Sequence, residues 1–148
     1  MKILIFLILS TFGAYNTNPT DKKAADEETI DMKVVITNIK EVKGTIVMGI
    51  YNNSSKFLKE GYAYKTVSEK VEGNQVEITV SGIPKGTYAI SLYQDVNSDK
   101  KCNRNVVGKP TEPYGFSNGF KRKLSKPSFN DCKVTVNESS TLKVELIH

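Results

Sequence analysis

Asp95, Asn97 and Asp99 stand at alternate positions in the stretch YQDVNSDKKCNRNV, and Asn103 follows shortly after. In a loop that curls around an ion, alternate residues turn their oxygens inward. Carboxylate and amide oxygens suit a hard cation such as calcium, which takes about 6–8 oxygen ligands. The Lys101 carbonyl could add another. The same four side chains also read as an Asx-type turn that ends a strand, their oxygens bonding the backbone of the loop instead of a metal.

As a calcium loop the run looks like the first half of an EF-hand, and it then departs from one. Lys100 stands where the turn glycine belongs, and Val106 where the bidentate glutamate belongs. Lys100, Lys101 and Arg104 would repel a cation unless they point away, and a further carboxylate would have to come from Glu112 or Asp131. Calcium and a metal-free polar turn therefore both remain open as expectations.

The next segment, GKPTEPYGFSN (108–118), places Gly108, Pro110, Pro113 and Gly115 at short intervals, each setting an unusual or restricted backbone angle. Tyr114 and Phe116 are its large apolar groups. They either pin the loop to the body of the protein or form an aromatic platform for a sugar or peptide. Cys102 and Cys132 are the only cysteines. In an exported chain an even pair points to a disulfide, which would close a loop of about 30 residues and contribute roughly 3–4 kcal/mol.

The usual catalytic sets are missing. The one histidine, His148, is the last residue, so Ser-His-Asp and Cys-His arrangements lack a positioned base. Zinc clusters and a glycine-rich phosphate loop are absent. Asp95, Asp99, Glu112 and Asp131 could converge for acid–base hydrolysis, as in glycoside cleavage. A small domain without tryptophan makes that the weakest of three expectations. The leading one is a non-enzymatic binding or accessory module that engages a cell-envelope protein or glycan. The other is a purely structural envelope domain.

The elements that must carry these residues read as β throughout. Val76, Ile78 and Val80 alternate with Glu77, Thr79 and Ser81. Ile46, Met48 and Ile50 fall on one face, as do Tyr88, Ile90 and Leu92. Near the end, Val134 and Val136, a polar turn, and Leu142, Val144 and Leu146 read as a hairpin. About seven short strands, each with one apolar face, predict an antiparallel β-sandwich of immunoglobulin-like or transthyretin-like shape with one long loop after Gln94.

The chain of 148 residues opens on MKILIFLILSTFGAY, a short positive start and an apolar run laid out as a secretory signal, expected over 1–14. The run is shorter than the roughly 20 residues a bilayer requires, so no transmembrane span is expected in the mature protein. Residues 15–29 are polar and read as a flexible linker, with the β-sandwich over 30–148. Export to the periplasm, cell surface or medium follows as an expectation. The formal charge of +5 is modest. The basic run KRKLSK (121–126) reads as a solvated face or as a contact for an anionic glycan or phospholipid. No helix-turn-helix, zinc-finger or aromatic RNA-binding pattern accompanies it, so nucleic acid is not an expected partner.

With IPKGTYAISLYQDVNSDKKCNRNVVGKPTEPYGFSN followed by KPSFNDCKVTV, the chain resembles a bacterial family of small exported proteins known only as a domain of unknown function. The likeness spans roughly 44–148. It carries the family pattern onto Gly86, Tyr88, Ala89, Asp95, Asn97, Gly108, Pro110, Glu112, Tyr114, Gly115, Phe116, Ser117, Asn118, Pro127 and Phe129. Gln94 stands at the family's usual histidine, Lys100 at its loop glycine and Asn103 at its later aspartate. The resemblance implies an exported β-sandwich and no known activity. It adds Glu112, Ser117 and Asn118 to Tyr114 and Phe116 as candidate binding positions.

Overall fold

The computed structural model describes residues 28–120 and 125–148. The expected signal at 1–14, nearly all of the expected linker, and 121–124 of the basic run lie outside the described residues. Of the linker, Glu28 and Thr29 are described, and Thr29 already opens the first strand.

Eight strands form, most of them on period-two alternation of apolar residues: β1 (Thr29–Thr37), β2 (Thr45–Tyr51), β3 (Lys65–Lys70), β4 (Val76–Pro84), β5 (Gly86–Asp95), β6 (Tyr114–Phe116), β7 (Lys133–Val136) and β8 (Ser140–Glu145). A single-turn helix, α1 (Phe129–Cys132), precedes β7, and a 3-10 turn covers Ser54–Lys56. The strands form two sheets, one ordered β4-β1-β8 and one ordered β3-β2-β5-β6, with β7 also pairing β5. Inward residues of both sheets make one core. Met32, Val34 and Ile36 of β1 face Ile46, Met48 and Ile50 of β2 and Ile90 and Leu92 of β5, all buried. Burial of each such side chain stabilises by about 1.5–3 kcal/mol before conformational entropy is set against it.

One bulge keeps β4 in phase. Met32 pairs with Val80 but Ile30 with Ile83, so β4 carries an extra residue there. Gly82 takes φ +69, and its N–H meets Asp31 Oδ1 at 3.3 Å. That left-handed step lets Val80 and Ile83 both point inward although they are an odd number of residues apart.

The expected sandwich is present, with two changes in its connections. The last two strands are not a hairpin: β7 joins β5 in the five-stranded sheet, while β8 lies parallel to β1 in the other. The polar turn between them crosses from sheet to sheet, and the architecture is antiparallel except for β1–β8. Alternation assigns each strand an inner face but does not say which sheet receives it.

The stretch after β5 is not one uninterrupted loop. β5 is long, and two short strands share one of its edges. β6 pairs over Ser91–Tyr93, and β7 over Gly86–Ala89. The chain leaves β5 at Asp95, returns as β6, leaves again, and returns through α1 and β7. The seam between the sheets closes where Tyr114 and Ile147 exchange N–H···O bonds of 3.1 and 2.7 Å.

Candidate functional site

The first excursion, 96–113, is built around carboxylates that accept hydrogen bonds from its own backbone. Asp95 is 3% exposed. Its Oδ1 accepts from the Asp99 N–H at 3.2 Å and its Oδ2 from the Lys100 N–H at 2.9 Å. Glu112, 8% exposed, bridges the two limbs of the loop: Oε1 accepts from Val96 N–H at 3.0 Å and Oε2 from Asn103 N–H at 3.2 Å. Asn97 Oδ1 accepts from Asp99 N–H, and Asp99 Oδ1 from Lys101 N–H at 2.9 Å. Asp99 Oδ2 receives the amide groups of Asn97 at 3.1 Å and Asn103 at 2.8 Å. The Asn103 amide, with the Lys101 N–H, holds the Asp99 carboxyl below the usual aspartate range.

Asp95, Asn97, Asp99 and Asn103 are thus brought together, in the arrangement of an Asx-turn network. Both amides turn nitrogen toward Asp99, and every oxygen of the two aspartates has an N–H donor. A calcium ion there would need those amides reversed to offer oxygen, while Asp95 Oδ1 and Oδ2 and Asp99 Oδ1 each keep a lone pair beside their N–H donor. Among the described residues no three His, Cys, Asp or Glu side chains cluster as a metal set.

Under this loop the five-stranded sheet ends in a tight junction. Gln94 continues the inward face of β5 and is fully buried. Its Nε2 donates to the carbonyls of Glu41 at 2.7 Å and Lys43 at 2.9 Å, tying the β1–β2 connection to the sheet, while its Oε1 has no partner. Gly44, at φ +74, lies so close to β5 that a Cβ would stand 2.0 Å from the Asp95 carbonyl oxygen.

Ser117 and Asn118 close the second excursion. Ser117 N–H donates to Ile90 O at 3.1 Å, continuing the β6 pairing, but its own carbonyl turns away. Its hydroxyl, fully buried, takes over as acceptor for Ile90 N–H at 2.9 Å and donates to the carbonyl of Cys132. One oxygen therefore joins β5, the end of β6 and the end of α1. Asn118, at φ 61, donates to Asp131 O at 3.2 Å. Asp131 Oδ2 in turn accepts from Ser128 N–H and Oγ, the capping box that starts α1. Glu112, Ser117 and Asn118 act here as positioning residues for the loops.

Tyr114 and Phe116 lie on the outer face of the sheet, half-buried. Phe116 meets Phe57, Tyr114 and Phe120 edge to face at centroid distances of 6.5, 5.9 and 5.4 Å, and Phe57 meets Tyr51 and Phe129 at 5.3 and 5.9 Å. These tilted to perpendicular rings pack the residues beside the 3-10 turn, β6 and α1 together. Phe116 and Phe120 also line a cleft of about 510 Å³ with Asn38, Lys40, Glu145 and His148. His148 is held in place, its Nε2 2.9 Å from Asn38 O. A second cleft, about 350 Å³, lies at the other end of the sheet beside Asn52, Tyr64 and Tyr88.

The expected disulfide is not formed: Cys102 and Cys132 are not bonded to each other, and Cys132 is fully buried. Cys132 ends α1 just before Lys133, which pairs with Ala89, whereas Cys102 neighbours Tyr93 and Glu112. The two places are separated by four residues along β5, roughly 13 Å at strand rise, and a bridge needs Cα atoms within about 7 Å. Burial pushes the Cys102 thiol and the Tyr93 phenol up, the latter with help from the negative charge of Asp95.

Sequence reasoning missed the cleft residues Asn38, Lys40, Phe120 and Glu145, and the role of Phe57 and Phe129. Phe57 and Phe120 are signalled only as aromatic residues in polar connections and Phe129 by the family pattern, while nothing in the sequence marks Asn38, Lys40 or Glu145. Among the described residues no helix is long and apolar enough to cross a membrane.

No significant match exists among curated proteins or among solved structures. One family profile matches, over residues 34–144, from β1 to β8. The chain belongs to the bacterial family described as uncharacterized protein conserved in bacteria (DUF2141).

Proposed function

We propose that this chain is an exported, non-enzymatic binding module that holds a segment of cell-envelope glycan in the cleft beside β6. The observation that carries this reading is the lining of that cleft. Two aromatic rings, Phe116 and Phe120, stand beside the hydrogen-bonding and charged groups of Asn38, Lys40, Glu145 and His148. Apolar ring surface with a few polar groups is what a sugar presents a need for, since its faces carry C–H and its rim hydroxyls. At about 510 Å³ the space suits a short oligosaccharide.

Two observations favour binding over hydrolysis. Asp95, Asp99, Glu112 and Asp131 each accept hydrogen bonds within their own turns. None of the four lines the cleft. The apolar N-terminal run supports export. A purely structural role is favoured by the density of the loop network, and the same experiment separates it. Soluble fragments of envelope glycan are titrated into the labelled protein and amide shifts are followed by NMR. Saturable shifts at 116–120 and 145–148, weakened at least tenfold by Phe120→Ala, are expected. Shifts elsewhere, or none, refute the assignment, and release of cleaved product would make the chain an enzyme.

A further inference from the structure

From a different part of the molecule we infer that the tip of the first excursion, residues 104–109, is a docking finger for an anionic lipid surface. Val106 and Val107 are 103% and 81% exposed, the two most exposed large apolar side chains described. They sit together at the apex of a small hairpin closed by the Arg104–Pro110 bridge. Single exposed valines are ordinary; an adjacent pair at the apex of a constrained turn is not.

The turn is built so that its backbone makes little demand on water. Asn105 N–H donates to Lys109 O at 2.9 Å, and Gly108 N–H to Asn105 O at 2.8 Å. The Asn105 side-chain oxygen accepts from both Val107 N–H at 3.1 Å and Lys109 N–H at 3.0 Å. Thr111 N–H pairs with Asn103 O at 2.9 Å at the base. A tip whose donors are largely satisfied internally can enter the headgroup region without leaving many polar groups stranded.

The charge around the tip selects the partner. Lys100, Lys101, Arg104 and Lys109 flank the valines in sequence, with Lys100, Lys101 and Arg104 exposed. Against them stands the exposed Asp99; Asp95 and Glu112 are buried below, each of their oxygens accepting one N–H of the loop. An apolar apex with a basic collar matches a bilayer whose surface is negative and whose interior is apolar. Each basic side chain near such a surface adds about fivefold to the partition. A protein partner would need a far larger contact than two valines provide, since stable protein interfaces bury on the order of 1,200–2,000 Å².

The chain has no tryptophan, which makes a site-specific test available. Val107→Trp places one reporter at the tip. Tyr62→Trp places one at the opposite end of the sheet, where Tyr62 is 55% exposed. Each full-length variant is mixed with phosphatidylcholine vesicles containing phosphatidylglycerol, with and without brominated acyl chains. Expected are a blue shift and bromine quenching at Val107→Trp alone, weakened in pure phosphatidylcholine and in high salt. Adding Lys100→Glu and Lys101→Glu should reduce the apparent partition at least tenfold. Equal behaviour of the two reporters would assign any binding to the apolar N-terminal run and overturn the inference. So would a silent tip, or capture of the tip by a soluble acidic protein with no response to vesicles.

Discussion

Replacing Ser117 with alanine removes one oxygen and breaks the junction at which both excursions meet β5. The hydroxyl is the acceptor for Ile90 N–H at 2.9 Å and the donor to Cys132 O, in a fully buried position. On the β2 side Ile90 faces Ile50, whose carbonyl is turned toward Tyr64, so the Ile90 N–H has no second acceptor within reach on that edge. Leaving it buried and unpaired costs about 1–3 kcal/mol, and the donor lost at Cys132 adds about 0.5–1.5 kcal/mol. The sum, roughly 2–4 kcal/mol, is a large fraction of the 5–15 kcal/mol that holds a typical domain together. It corresponds to a fall in Tm on the order of 10 °C. Urea unfolding followed by far-UV circular dichroism is the assay: the midpoint should fall while the slope stays constant. Hydrogen exchange at the Ile90 amide should accelerate more than at its neighbours. Ser91→Ala, one residue along and facing outward, is the comparison and should stay within about 0.5 kcal/mol of the parent. If Ser117→Ala is no weaker than Ser91→Ala, or the Ile90 amide keeps its protection, the hydroxyl is not substituting for a strand carbonyl.

Two further outcomes follow from the same region. The 96–113 network is complete in N–H donors, so calcium or a chelator should move Tm by less than about 1 °C, because a ligand that does not prefer the folded state adds no stability; a calcium-dependent rise of several degrees that Asp95→Ala abolishes would replace the turn network with a metal site. The two thiols should differ in reactivity. Cys132 should wait for unfolding, and Cys102 should alkylate slowly near neutral pH and faster as pH climbs toward its raised value. The folded state holds the Cys102 proton at pH values where the unfolded chain has released it, so stability is full below the unfolded value and declines above it. Finding fewer than two reactive thiols in denaturant would reinstate a disulfide.

What the sequence disclosed was the part governed by period. Val76, Ile78 and Val80, or Ile46, Met48 and Ile50, place their faces because a strand has only two. Gly44 hints at a turn by residue type alone, and the reason for it, the 2.0 Å that a Cβ would leave to the Asp95 carbonyl oxygen, lies in the fold. Gln94 was illegible as a core residue. A fully buried amide is tolerable only because two carbonyls of the β1–β2 connection, distant in sequence, happen to face it.

The stretch after Gln94 was misread for a related reason. Alternation counts apolar side chains, and the pieces that organise this stretch are polar side chains standing in for backbone. Ser117 supplies the acceptor that a strand carbonyl would otherwise supply. Asp95 and Glu112 collect N–H groups that a sheet or helix would otherwise pair. Oxygens in that pattern resemble ligands on paper because a carboxylate that gathers amide hydrogens and one that gathers a cation are chosen for the same lone pairs. The two uses differ in what remains outside. When the acidic groups are buried under N–H donors, the surface left exposed is that of their neighbours: here Lys100, Lys101, Arg104 and the Val106–Val107 apex. A loop stiffened from within in this way meets other molecules with its basic and apolar side chains, which is why contact at the tip is expected with a negative surface and not with a cation.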